Sequence, residues 1–251
     1  MEHNVDFHAA TAPGGGALAL NTQKGETTHA KFRLCYPGFF LYHCSVAPPG
    51  VHIGRAMYGA MIVEPEEGLP PVDKEFYVAQ MEIYAEQRKS SQERKEMLAN
   101  GEDPDLLDFD YEAAMQERPR FVVYNGKVGA LQDERMLRVK KNDRVRLYFV
   151  NAGPNLTSAM HVIGATFDHV YRDGSFLNKP TRGHQAIAVP PGNTAVIEMD
   201  MPVPGKYTLI DHSIFRVEKG CAGFIQVEGE AEPRLYEPYN EERACVGCKL
   251  H

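Results

Sequence analysis

No run of this 251-residue chain approaches the roughly 20 consecutive apolar residues that a membrane-crossing helix needs. Basic charge is not in surplus either. Lys and Arg number 27 against 34 Asp and Glu, a formal charge of -7, and without a basic stripe nucleic acid is not the expected partner. The first ten residues, "MEHNVDFHAA", have neither the basic nor the apolar region of a signal peptide. Two expectations fit such a start: a cytoplasmic protein, or a chain whose true beginning lies upstream. Cysteine is scarce and odd in number: Cys35, Cys44, Cys221, Cys245 and Cys248 do not suggest a complete disulfide framework. The tail "ACVGCKLH" fails as a c-type haem attachment because Lys249 stands where histidine is required. It fails as a zinc site because no second half matches it. It reads as solvated chain or a local disulfide.

What the chain does have is a succession of short apolar strands punctuated by Gly and Pro. "KFRL", "FFLYHC", "YGAMIVEP", "KEFYVAQMEIYA", "RFVVYNG", "RVRLYFVNA", "AMHVIG", "FDHVYRDG", "AIAVP", "TAVIEMDM", "KYTLIDHS" and "GFIQVEG" are the strand candidates. "SQERKEMLANG" and "DYEAAMQER" are predicted as short surface helices in a polar interlude. The class is all-β, with sandwiches joined by Greek-key connections. A turn-rich linker, "EPEEGLPPVDKE", suggests a boundary: residues 1–68 as one unit, 69–232 as a second, and 233–251 as a tail. A weak internal repeat supports two related units. "PGFFLYHCS" followed by "GAMIVEP" resembles "PGKYTLIDHS" followed by "GFIQVEG", and "HNVDFH" lines up with "MHVIGATFDH".

Strand parity sorts the candidate ligands, because residues an even number apart share a face and those an odd number apart oppose. His43 and Cys44 are neighbours and must face opposite ways. His3 and His8 are five apart and also oppose, whereas Asp6 shares the face of His8. The simplest pairing puts His3 with Cys44 on one side, and Asp6, His8 and His43 on the other. His52 and Met57 follow Cys44 in one loop. Either residue alone is more often packing than ligand. Two imidazoles, a thiolate and a thioether together are the ligand set of a blue-copper electron-transfer centre. The second group offers two imidazoles and leaves room for a third protein ligand and an open position, the pattern of a catalytic metal. His161 and His212 are both candidates for that third ligand, and parity does not choose between them. His29, His169 and His184 read as surface or hydrogen-bonded histidines.

With these residues in place the sequence resembles the copper-containing nitrite reductases. The resemblance rests on "HNVDFHAAT", "FLYHCSVAPPGVHIGRAMYGAMIVEPEEGLP", "FVVYNGKVGAL", "MHVIGATFDHVY" and "YTLIDHSIFR", in order along nearly the whole chain. It implies two cupredoxin-like Greek-key β-sandwich domains per subunit and a homotrimer. It also implies that strands preceding "HNVDFH" in the family are to be expected upstream of this start. It further implies a type 1 copper on His3, Cys44, His52 and Met57, and a type 2 copper on His8 and His43 with His212 supplied by the neighbouring subunit. Asp6 and His161 match the active-site aspartate and histidine, and Ile163 the apolar side chain that crowds the substrate. The implied reaction is nitrite plus one electron and two protons giving nitric oxide and water, as in denitrification. The electron is expected from a small donor protein, a cupredoxin or a c-type cytochrome. A location outside the cytoplasm is expected for the full-length parent. Three other readings stay in view. A laccase-like oxidase needs His-x-His pairs, which the sequence lacks. A plain electron carrier leaves Asp6, His8, His43, His161 and His212 without a role, and an inert fragment would hold no copper.

Overall fold

The computed structural model describes residues 1–86, 90–101, 107–240 and 242. The predicted tail pair Cys245 and Cys248 lies outside these residues. Three strands form a first sheet in the order β1-β2-β3: β1 (Asp6–Phe7), β2 (Gly38–His43) and β3 (Tyr58–Val63). All its pairings are antiparallel, with Asp6 opposite His43 and His43 opposite Tyr58. The stretch between β2 and β3 holds a short helix, α1 (Pro49–Gly54), opened by a proline at its first position where no backbone donor is lost. Lys31–Leu34, expected as a strand, has none. Phe32 packs near Phe7 instead, with the rings tilted at 58° and their centres 5.9 Å apart.

Ten further described strands form a two-layered sandwich. Its first layer runs β11-β13-β9-β4-β7 and its second β12-β10-β14-β15-β8. The members are β4 (Lys74–Ile83), β7 (Phe121–Tyr124), β8 (Leu137–Lys140), β9 (Arg144–Asn151), β10 (Ser158–Ile163), β11 (His169–Arg172), β12 (Ala186–Val189), β13 (Thr194–Asp200), β14 (Gly205–Asp211) and β15 (Ala222–Glu228). Two parallel pairings, β4 with β9 and β15 with β8, mark the Greek-key crossovers. Alternation explains the layers: β10 is buried at Ser158, Met160 and Val162 and half-buried between them. Phe149, Leu147, Met160, Ile197, Leu209 and Ile225 close the core between the layers. A polar excursion between β4 and β7 carries β5 (Ala85–Glu86), paired with β6 (Asp108–Phe109), and the predicted helices α2 (Ser91–Ala99) and α3 (Tyr111–Met115). Ser90 and Glu93 close a reciprocal cap at the start of α2. A last helical turn, α4 (Phe215–Glu218), joins β14 to β15. No helix among the described residues is long and apolar enough to cross a membrane.

The small sheet is fastened to the sandwich along β2. Phe39 and Leu41 pack against Tyr148, Val150, Tyr171 and Val196. The Phe39 amide donates to the Gly174 carbonyl at 2.8 Å, and the Thr194 hydroxyl donates to the Phe39 carbonyl at 2.6 Å. Gly174 has a φ of +64°, and a Cβ there would stand 2.1 Å from Thr194 Oγ1 and 2.2 Å from the Phe39 carbonyl oxygen. Gly174→Ala is therefore expected to cost about 1–2 kcal/mol for the left-handed backbone alone, and more for the clash. Denaturant unfolding checks this; an unchanged midpoint would show that the junction tolerates the bulk.

Candidate metal centres

Among the described residues, two clusters of three histidine, cysteine or acidic side chains bring their ligand atoms within 4.8 Å of one another. The first is His3, Cys44 and His52. The Cys44 sulfur lies 3.7 Å from His3 Nδ1 and 3.4 Å from His52 Nδ1. Atoms sharing one metal at bond lengths of ~2.3 Å to sulfur and ~2.0 Å to nitrogen stand about 3.5–3.8 Å apart in tetrahedral to trigonal geometry. The spacing fits a common ion, and one thiolate between two imidazoles suits copper. Burial accounts for the chemistry further. Cys44 is 3% and His52 6% exposed. The pKa of His52 is pushed down, first by that burial and then by His3 and Arg55. Its ring is thus held in the neutral form that has a lone pair to give.

Local structure delivers these side chains. α1 carries His52 back over the end of β2, and the chain then turns at Ala56, whose φ is +65°. The Met57 amide donates to the His52 carbonyl at 3.1 Å, and the Cys44 amide donates to the Met57 carbonyl at 3.0 Å. The backbones of all three residues are therefore stitched together. Asn4 does the same for the opposite flank. Its side-chain oxygen accepts from the Ser45 amide at 2.8 Å and the Ser45 hydroxyl at 3.0 Å, tying the His3 segment to Cys44. Nothing in the sequence pattern marks Asn4 for this; it depends on a contact between residues 41 apart.

The second cluster is Asp6, His8 and His43. His43 directs Nδ1 at the Cys44 carbonyl, 3.0 Å away, which leaves Nε2 facing the cluster. His8 Nε2 and His43 Nε2 are 3.1 Å apart, and Asp6 Oδ2 is 3.9 Å from His43 Nε2. Two nitrogens on one metal at ~2.0–2.1 Å stand about 2.9–3.3 Å apart. Partial desolvation of its ring pushes the His8 pKa down, with the neighbouring His43 adding to the effect and Asp6 and the Gly192 backbone opposing it. Asp6 also takes part in a close approach between distant segments. A Cβ on Gly15, whose φ is +59°, would come 1.8 Å from Asp6 Oδ1. The visible trace of that approach is the triplet Gly14, Gly15 and Gly16, all with positive φ. Asp6 faces His43 and not Cys44 because Asp6 and His43 are register partners on β1 and β2. The parity grouping and the tertiary clusters thus coincide.

His161 and His212 lie together elsewhere, ring centres 5.4 Å apart, on the outer face of β10 and at the end of β14. Ile163 shares that face and packs on Ile210, Val217 and Ala222. His161 directs Nδ1 at the Gln185 carbonyl. Neither histidine joins the Asp6, His8 and His43 cluster within this chain. The register also refines the internal repeat. His8 donates its amide to Leu41, two residues before His43. His161 pairs with Ile210, two residues before His212. His161 is thus the counterpart of His8, and His212 is the counterpart of His43. The two pairs match in spacing, with 5.1 Å between the His8 and His43 ring centres. Of the remaining histidines, His169 bonds Arg144 and His184 bonds Thr181, while His29 is exposed.

Comparison with known proteins places this arrangement. Residues 100–230 match the multicopper oxidase family profile. The chain is 44% identical over 248 residues to a copper-containing nitrite reductase of Neisseria meningitidis serogroup A, covering 98% of this chain and 61% of that protein. It is 34% identical to the copper-containing nitrite reductase of Neorhizobium galegae, over 92% of this chain and 62% of that protein. The chain thus spans about three-fifths of these relatives. Among solved structures, copper nitrite reductase from Nitrosomonas europaea superposes with a TM-score of 0.75 at 32% identity, over 93% of this chain and 76% of that one.

Proposed function

The chain belongs to the copper-containing nitrite reductases, and from that premise we propose that it carries both copper sites of such an enzyme and reduces nitrite to nitric oxide. One observation carries the reading: two ligand clusters of different chemistry stand back to back, joined by the single peptide bond between His43 and Cys44. Copper held there would supply a one-electron store beside sulfur and a Lewis-acid position for nitrite between imidazoles. In this assignment His3, Cys44, His52 and Met57 hold type 1 copper. His8 and His43 hold type 2 copper, completed by His212 of a neighbouring copy in a homotrimer. The matched spacing of the two histidine pairs supports that complementarity, since His161 and His212 lie exposed or half-buried on an outer sheet face.

The side chains then divide the work. The adjacent backbones of Cys44 and His43 give the shortest covalent path between the clusters. Asp6, beside His43 and partly open to solvent, donates a proton to the departing oxygen. His161 of the neighbouring copy serves the second proton; an imidazole is suited to that near neutral pH. Ile163 narrows the space beside it. The balance is nitrite, one electron and two protons in, nitric oxide and water out. Residues 1–68 form the C-terminal part of the first cupredoxin domain, 69–232 the second domain and 233–251 a tail. A cupredoxin or c-type cytochrome provides the electron, and the protein acts outside the cytoplasm in denitrification. Copper stoichiometry with an electron paramagnetic resonance spectrum tests the assignment. Two distinct mononuclear coppers per chain are expected. One copper would reduce the chain to an electron carrier, and none would leave it an inert fragment.

A further inference from the structure

We infer that Asp211 is a positioning residue that sets the relation between His212 and His161, an inference that rests on the assignment of His212 to the type 2 site. Asp211 and His212 are consecutive at the end of β14 and face opposite ways: His212 is exposed, and Asp211 is 0% exposed. Its carboxylate gathers donors from four directions. Oδ1 accepts from the Ala159 amide at 3.1 Å and the Ser213 amide at 2.9 Å. Oδ2 accepts from Gln80 Nε2 at 2.8 Å and from the Arg216 guanidinium.

Each donor fixes a neighbour of one histidine. Ser213 follows His212 directly, and Ala159 stands two residues before His161 on the same face. The His212 amide in turn donates to the Ala159 carbonyl at 2.8 Å. Arg216 reaches from α4 to the Thr157 carbonyl at 2.8 Å, holding the start of β10. Gln80 is itself held by the Ser158 hydroxyl, which donates to its carbonyl oxygen at 2.8 Å. One carboxylate therefore ties β4, β10, β14 and α4 around the point from which both histidines project. The equivalent position in the first half of the repeat is Tyr42, so this anchor belongs to the second half alone.

Asparagine has the right shape and the wrong polarity. Its oxygen can keep Ala159 and Ser213, but its amide nitrogen then confronts the Arg216 guanidinium, which has no acceptor to offer. Asp211→Asn is expected to weaken retention of type 2 copper about 10–100-fold, the usual cost of losing a group that orients a ligand. The type 2 resonance should change shape while the type 1 absorption of the same sample stays as in wild type. Arg216→Met, which leaves three donors in place, should move retention the same way by less, and Arg216→Lys should restore it. Structures of metal-free wild type and Asp211→Asn give a reading that needs no copper: the His161–His212 spacing should change. Wild-type retention and spectrum in Asp211→Asn, or an unmoved pair of rings, would overturn the inference. A wild-type protein without type 2 copper would instead count against the assignment of His212, and the metal-free comparison would still decide the role of Asp211.

Discussion

Cys44→Ala is expected to remove the visible copper–thiolate absorption entirely and to bring nitrite reduction driven by a donor protein down to background. The argument is chemical before it is structural. Cys44 provides the only sulfur anion in its cluster, and its thiolate is the softest ligand among imidazoles that by themselves do not distinguish copper from other metals. Alanine also breaks the covalent path at the point where side chain meets backbone, although the peptide bond to His43 remains. Loss of folding should not confound the result. Cys44 is small, and its amide still bonds the Met57 carbonyl after substitution. The measurement is an optical and paramagnetic-resonance titration with copper, followed by turnover with a protein donor. Type 2 signals should persist at full occupancy. Retention of the visible band would mean that another sulfur serves the site.

The second large effect concerns Asp6. Asp6→Asn should leave both coppers bound and lower turnover by about 10²–10⁴-fold, the range attributed to a well-placed proton donor. Asparagine preserves the side-chain volume above Gly15, where no extra atom fits, so its carbonyl can occupy the place of Oδ1. It cannot give up a proton at neutral pH. Asp6 is placed as proton donor and not as ligand because His8, His43 and His212 of a neighbouring copy already give the three protein ligands of the assignment, and a carboxylate 3.9 Å from the His43 nitrogen stands beside them. Copper content by elemental analysis and initial rates with an artificial reductant separate binding from proton delivery. Wild-type rates in Asp6→Asn would remove Asp6 from the reaction. Loss of type 2 copper would show that Asp6 acts first by holding the site together.

Much of the site is legible in the chain because its first half is a strand problem. His43 and Cys44 must face apart whatever surrounds them, and Asp6 must fall on the side of His8. Those two constraints sort five residues into the groups that the fold then assembles. α1 was less legible, since six residues beginning Pro49-Gly50 read as a turn-rich loop and take helical form only as the chain carries His52 over β2. Asn4 and Gly15 were invisible because their roles are close approaches between segments far apart in sequence. The similarity of "HNVDFH" to "MHVIGATFDH" left the residue pairing open, and only hydrogen-bond register sets His161 against His8. A shift of one residue would change which face a side chain occupies.

By itself the sequence determined the all-β class, the family and the separation of ligands into two chemistries. These depend on local periodicity and residue type, which every strand carries within itself. Tertiary structure alone decided the distances within each cluster and the burial of Asp211 beneath His212. It also left His161 and His212 outside the cluster of Asp6, His8 and His43. Those facts arise from pairing between strands dozens of residues apart, whose register is set by which faces the core must bury.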